Sequence, residues 1–302
     1  MRVLITGAAG GVGGHVIEAL KDRAELVGFD ARVGRADIEW HVGDVTDVEA
    51  ATKAARGCDV VVHLAGIPIY DESKRVDIGR VNVLGTQVIL DAVVRSGVGY
   101  FVQASSICTT GFIFGSERAR PAYFPIDEES SGQPNDMYGM GKAIDEQLAQ
   151  GYSRRYGFRA TSLRMATVWA PDHQPTDELL TDLLKPENDQ DLEYRDLRWQ
   201  YVDSRDVAKA FELAIEQREK AEEIYNVGAA DNPGSDWRVW LKDLYPDAPT
   251  LNDPVRMLEH PGAPLWSIDR IRDHLGFQPE HSWREYPVFC DAWESYKERR
   301  LA

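Results

Sequence analysis

Residues 2–13 pair a short apolar, β-branched run with a glycine-rich turn, Thr6-Gly7-Ala8-Ala9-Gly10-Gly11-Val12-Gly13. Glycines at 7, 10 and 13 leave few folds open to the chain. The first permits a tight turn after a strand. The second lets backbone come close to a bound group, and the third lets the next helix pack hard on the strand. A helix starting near Val12 aims the unpaired N–H groups of its first turn, Gly11 and Val12 among them, at whatever lies over the turn. The positive end of its dipole faces the same way, which suits a phosphate. Strand, glycine turn and helix in this order predict a dinucleotide site.

The same alternation continues along the chain. Strands are predicted at 2–6, 25–30, 38–42, 60–64, 100–104, 160–165 and 224–227, and helices at 12–21, 48–56, 81–96, 138–156 and 207–217. Strands alternating with amphipathic helices build a doubly wound parallel sheet, an α/β Rossmann fold. Beyond Ala170 the pattern breaks into Asp-, Glu- and Pro-rich segments, with an apolar patch at 179–184 and helices expected at 237–245 and 285–300. The expected organisation is a nucleotide-binding domain of 1–168 with 200–228. A small C-terminal substrate lobe of 169–199 with 229–302 would cover the carboxyl ends of the strands, where open α/β sheets bind ligands.

Asp30 ends the second strand. A carboxylate there accepts hydrogen bonds from an adenosine ribose and repels a 2′-phosphate, so NAD is expected as cofactor. Arg32, two residues on, leaves NADP as a second possibility. Asp44 and Val45 follow the third strand, at the place of the adenine. Leu64, Ala65 and Gly66 end the fourth, and their small side chains admit the cofactor backbone. His63 beside them reads as structural.

Tyr138-Gly139-Met140-Gly141-Lys142 places a phenol and an ammonium one helical turn apart on one face. The cation is expected to draw the tyrosine pKa toward neutrality and make it a base. Lys142 is also placed to hold the nicotinamide ribose. Ser106, in Ala104-Ser105-Ser106-Ile107, supplies a hydroxyl to steady the reacting oxygen. Ser105 is its rival, and Ser106 is preferred as lying farther past the strand. Cys108 lines the pocket or, more simply, packs as a small apolar side chain.

Acidic residues outnumber basic ones by 50 to 34, a net charge of −16 that disfavours nucleic acid and anionic membranes as partners. Of the basic residues 25 are Arg and 9 are Lys, which fits either adaptation to high salt or a GC-rich coding sequence. Three widely spaced cysteines without a CxxC predict reduced thiols, no metal site and a cytoplasmic setting. The first strand begins at residue 2, so no leader or membrane-spanning segment is expected.

These residues resemble the extended short-chain dehydrogenase/reductases, the NAD-dependent epimerase/dehydratase family. The resemblance rests on Thr6–Gly13, Asp30, Asp44, Ala65-Gly66, Asn82, Ser106, Tyr138 and Lys142. It continues through Leu163-Arg164, 199–207, Tyr225-Asn226-Val227-Gly228 and 271–279. It implies a tyrosine base, a lysine ribose clamp, Asn82 in the cofactor site and hydride exchange with NAD. It also implies a homodimer paired through the helices at 81–96 and 138–156, although the stripe Val83, Val88, Ile89, Ala92 and Val93 would equally pack on the sheet.

Departures narrow the subfamily. Ser106-Ile107-Cys108 lacks the carboxylates that sugar dehydratases carry there. Thr167 stands where nucleotide-sugar epimerases carry asparagine. No Arg or Lys follows it before Lys185, although Arg195, Arg198 and Arg256 are available from the lobe. The stretch 104–112 is most similar to sugar 1-dehydrogenases such as uronate dehydrogenases, without their carboxylate-gripping arginine after Thr167. A neutral aldose oxidised at C1 is therefore expected. Thr167 would touch a sugar hydroxyl, and Gly66, Ile67 and Pro68 would form a wall. A nucleotide-sugar epimerase that retains its NAD is the second reading. A non-catalytic NAD-binding regulator ranks third, since Tyr138 and Lys142 are both kept. Trp169, Trp199, Trp240 and Trp266 are read as packing.

Overall fold

The computed structural model describes residues 1–68, 71–114, 120–130, 132–171, 200–221, 224–232, 250–251, 262–287 and 290–291. Seven strands form one parallel sheet: β1 (Arg2–Thr6), β2 (Glu25–Asp30), β3 (Glu39–Val42), β4 (Val60–His63), β5 (Tyr100–Ser106), β7 (Arg159–Met165) and β10 (Ile224–Val227). Their order is β10-β7-β5-β4-β1-β2-β3, so the winding reverses between β1 and β4. That reversal opens a crevice at the carboxyl ends of these two strands.

Side chains that alternate along the strands feed two cores. Val3, Ile5, Val60, Val62 and Val102 pack against α1 (Gly11–Leu20) and α6 (Ser204–Glu216). Leu4, Val27, Val61 and Phe101 face the other way, onto α2 (Val48–Ala55), α4 (Gly85–Ser96) and α5 (Met137–Tyr156). Burial on both faces explains why β4 reads Val-Val-Val-His, with every residue buried. Val88, Ile89, Ala92 and Val93 are among the buried residues, so the stripe on α4 serves the sheet.

The long helix expected at 81–96 is not uniform. A short α3 (Arg75–Ile78) runs into a π-helical segment, Gly79–Leu84, before α4 begins. α6 starts at Ser204 rather than 207, because the Asp203 carboxylate accepts the Arg205 N–H and caps it. Beyond the main sheet, β8 (Thr167–Trp169) pairs in parallel with β9 (Tyr201–Asp203), and β6 (Tyr123–Phe124) with β11 (Thr250–Leu251). A further short helix, α7, spans Asp269–Leu275.

Most of the expected small lobe lies outside the described residues. So do the patch at 179–184, the helix at 237–245, most of the helix at 285–300, Lys185, Arg195, Arg198, Arg256, Trp199 and Trp240. Trp169 and Trp266 are fully buried, and Trp169 stacks on Tyr201 with ring centroids 4.5 Å apart. Among the described residues, no helix is long and apolar enough to cross a membrane.

Candidate active site

The glycine turn is held by its own backbone. Gly7 has φ +68°, and a Cβ on it would lie 2.7 Å from the Ala65 amide nitrogen. A Cβ on Gly13 would lie 2.5 Å from the Gly7 carbonyl oxygen. The Gly10 N–H donates to that same carbonyl at 3.0 Å. α1 begins at Gly11 with no side-chain cap and no acid in its first turn, so nothing competes there for an anion. Val12, half-buried, packs on the core.

Across the crevice, β4 leads into Leu64, Ala65 and Gly66. The Ala65 N–H donates to the Thr6 hydroxyl at 3.2 Å. A Cβ on Gly66 would sit 3.3 Å from Asn82 Oδ1 and 3.9 Å from Lys142 Nζ, so this glycine links the dinucleotide turn to α5.

Tyr138 stands in the first turn of α5. That helix is capped by the buried Asp136, whose carboxylate accepts the Gly139 N–H at 2.8 Å. The Ser106 hydroxyl acts on the Tyr138 phenol and favours its ionised form. Ser106 Oγ also accepts the Cys108 N–H at 3.2 Å. Lys142 Nζ donates to the Ala104 carbonyl at 2.7 Å. Phenol, hydroxyl and ammonium thus meet at the end of β5.

Two of the sequence expectations change here. β5 runs through Ser106, so that serine does not lie past the strand. What separates the two serines is strand alternation: Ser105 Oγ donates to Glu146 at 2.5 Å, and Ser106 is left to Tyr138. The phenol pKa, moreover, is raised rather than drawn toward neutrality. Burial is the main cause, with Cys108 adding to it against the Ser106 hydrogen bond. Burial also lowers the pKa of Lys142, whose ammonium is spent on a backbone carbonyl.

Residues 3–228 match the NAD dependent epimerase/dehydratase family. The chain belongs to that family. It is 28% identical over 297 residues to the NAD-dependent glucose-6-phosphate dehydrogenase of Haloferax volcanii, covering 94% of this chain and 95% of the relative. It is 30% identical over 176 residues to the L-arabinose 1-dehydrogenase (NAD(P)(+)) of the same organism, covering 57% of this chain and 68% of that one. A short-chain dehydrogenase/reductase superfamily protein from Agrobacterium tumefaciens, solved with bound NAD, superposes with a TM-score of 0.70. It is 25% identical and covers 100% of this chain and 98% of its own. The chain is therefore an NAD(P)-dependent enzyme of the extended short-chain type.

The residues fit the cofactor of the epimerase/dehydratase family. The uncapped start of α1 suits a pyrophosphate. Asp30, at the end of β2, accepts the Ala9 N–H at 3.0 Å and the Arg32 N–H at 3.3 Å, while Arg32 returns a bond to the Ala9 carbonyl at 3.3 Å. Acid and arginine clasp the turn together. Asp44 is half exposed and accepts from Thr46 and from Arg80 Nη1 at 3.1 Å. These bonds, Thr46 first, hold its carboxyl below the usual range. Val45 packs against Gly85, where a Cβ would lie 2.8 Å from its Cγ1.

Asn82 is tied to the loop after β4. Its Oδ1 accepts the Ile67 N–H at 2.8 Å and its Nδ2 donates to the Ile67 carbonyl at 3.2 Å. These two bonds shape the 65–67 segment and leave the amide a further donor and a further acceptor site. Ile67 is half-buried and Pro68 exposed beside it. Thr167 opens β8, two residues beyond Met165, the register partner of Ser106. Cys108 is buried in the core cluster, as a packed side chain would be.

Sequence reasoning missed the second layer behind this site. Arg164 binds Glu146 through two nitrogens, at 2.9 and 2.8 Å, and both side chains are buried. The acid four residues after Lys142 was the available signal. Arg164→Met strands a buried carboxylate without its cation. It is expected to cost about 3–5 kcal/mol of stability, read from urea unfolding.

Proposed function

We propose that this enzyme oxidises the C1 hydroxyl of a free aldose, neutral pentose or hexose favoured, to a lactone. The observation that carries the reading is the turn Ile107–Thr110 beside Ser106 and Tyr138, which is buried throughout and holds no carboxylate. Such a site offers one proton acceptor and one hydroxyl donor. That suffices for dehydrogenation and leaves sugar dehydration without its acid and base.

NAD, when bound, supplies the hydride acceptor. Tyr138, as phenolate, takes the proton of the C1 hydroxyl at its phenolic oxygen. Ser106 donates to the same substrate oxygen as its charge grows. The O–H and C1–H bonds break, C1=O forms, and the hydrogen of C1 leaves as hydride. Lys142 orients the ribose, and Thr167, Ile67 and Pro68 contact the sugar. Proton and hydride leave in one polarised step, so placement of these groups counts for more than tightness of binding.

Homodimer formation through the helices at 81–96 and 138–156 is part of the proposal, supported by the exposed apolar Leu84 in the π-helical segment and Met140 and Ile144 on α5. A reducing, cytoplasmic setting is supported by three cysteines that form no disulfide. The test is NADH absorbance at 340 nm with NAD and a panel of pentoses, hexoses, uronates and glucose 6-phosphate. A rise with a neutral aldose is the expected result. Silence with every free sugar, with NAD released only on denaturation, would overturn the reading in favour of an epimerase that keeps its cofactor.

A further inference from the structure

Thr6 closes β1 and stands opposite His63 of β4 in the sheet register. Both are buried, as is Thr86 in the first turn of α4. Thr6 holds two successive amides of the segment that leaves β4. Its carbonyl accepts the Leu64 N–H at 3.1 Å, and its hydroxyl accepts the Ala65 N–H at 3.2 Å. The hydroxyl also has one proton to give. His63 Nδ1 lies 2.7 Å from it, and His63 Nε2 lies 3.0 Å from Thr86 Oγ1.

These lengths place the ring proton. The shorter one suits a hydroxyl donor and the longer one a ring N–H donor. Thr6 then donates to Nδ1, and Nε2–H donates to Thr86. A proton on Nδ1 would reverse the first bond and leave the buried Thr6 hydroxyl proton without an acceptor there. Burial, with the Lys142 charge adding to it, pushes the imidazole pKa down to about 3, so the ring keeps one donor and one acceptor. Phe101 of β5 lies against the ring, centroids 5.9 Å apart. Thr86 follows Asn82 by four residues, and Asn82 holds Ile67. The 64–67 segment is therefore held from β1 by Thr6 and from the helix by Asn82, and His63 joins the two holders.

We propose that His63 is a positioning residue for the cofactor site: as the Nε2–H tautomer it accepts the Thr6 hydroxyl proton, which keeps Thr6 turned to the Ala65 N–H and the 64–66 wall closed on the glycine turn. It acts through Thr6 and carries no proton in the reaction. The proposal rests on the glycine turn as the seat of the cofactor, which substitution at Gly13 checks on its own. It does not depend on which sugar is oxidised.

The first arm of the test is nitrogen-15 NMR of the NADH-bound wild-type enzyme, labelled in its histidine rings. The His63 signals are assigned by nuclear Overhauser contacts to the Phe101 ring. Nδ1 is expected to be bare and Nε2 protonated, unchanged from pH 5 to 9. A proton on Nδ1, or a ring that gains charge over that range, overturns the proposal.

The second arm is NADH fluorescence titration of variants, with thermal midpoints alongside. His63→Asn can set an amide oxygen where Nδ1 stands. His63→Gln is nearer in size to histidine but sets its amide nitrogen at the Nε2 end. His63→Asn is expected to weaken NADH binding about threefold, and His63→Gln and Thr6→Val about tenfold each. Thr6→Val combined with His63→Gln should bind no more weakly than Thr6→Val alone, because both break the same bond. A role in packing alone predicts that glutamine serves better than asparagine and that the two losses add. Either result overturns the proposal. Neither arm needs a sugar, so a failed aldose screen leaves the outcome standing.

Discussion

Gly13→Ala is expected to abolish detectable NADH binding, a loss of roughly 100-fold or more in affinity, about 2.7 kcal/mol or greater. The added methyl meets the Gly7 carbonyl oxygen at 2.5 Å and the Ala8 carbonyl at 2.8 Å. These are backbone atoms at the apex of the turn, and no side chain can rotate away to make room. α1 must lift from β1 or the turn must open, and either movement carries the helix N-terminus off the phosphates. Gly14→Ala is the matched control. That glycine is exposed, and nothing lies within 4 Å of its Cβ position. The substitution should leave binding unchanged and stabilise the helix by about 0.5–1 kcal/mol. NADH fluorescence titration on both variants, with thermal midpoints alongside, reads the contrast. Equal binding by the two proteins would remove the turn from the cofactor site.

Tyr138→Phe is expected to lower turnover by about 10²–10⁴-fold, the usual worth of a positioned general base, while NADH affinity stays within a few-fold of wild type. The ring remains, so its edge contact with Phe114, at 6.4 Å between centroids, survives. What is lost is the oxygen proposed to accept the proton. The raised phenol pKa sharpens the forecast for the wild type. A base held in its protonated form by burial gives an oxidation rate that climbs with pH across the neutral range. Turnover of the preferred sugar at 340 nm, followed from pH 6 to 10, measures both effects. A Tyr138→Phe enzyme at wild-type rate would exclude the tyrosine as base.

The sheet was legible because its strands are buried on both faces and therefore spell apolar, β-branched runs: 60–63 is Val-Val-Val-His, and Val3-Leu4-Ile5 feeds both cores. The turn was legible because close backbone approach demands glycine at fixed spacing. Tyr138 and Lys142 were legible because helical spacing puts them on one face. Boundaries were less so. The π-helical stretch at Gly79–Leu84 leaves no mark in hydrophobic periodicity, and β5 outlasts its apolar run by two serines.

Partners far apart in sequence could not be read at all. Asp44 with Arg80, Glu146 with Arg164 and His63 with Thr86 are set by which helix lands on which strand. The direction of the Tyr138 shift was missed for the same reason. Helical spacing counts the lysine and cannot count the desolvation that outweighs it, nor the Ala104 carbonyl that claims the ammonium.

Asn82 carries a practical consequence for redesign. Its amide grips both polar groups of Ile67. The same short segment carries Gly66 beside Lys142 Nζ and the exposed Pro68, so on the proposed reading coenzyme and sugar affinities are mechanically geared to one another. Libraries that recolour the wall at 67 and 68 to change sugar preference will keep their hold on the coenzyme only while that amide stays in place. Any substitution of Asn82 should degrade both together, whichever sugar is on offer.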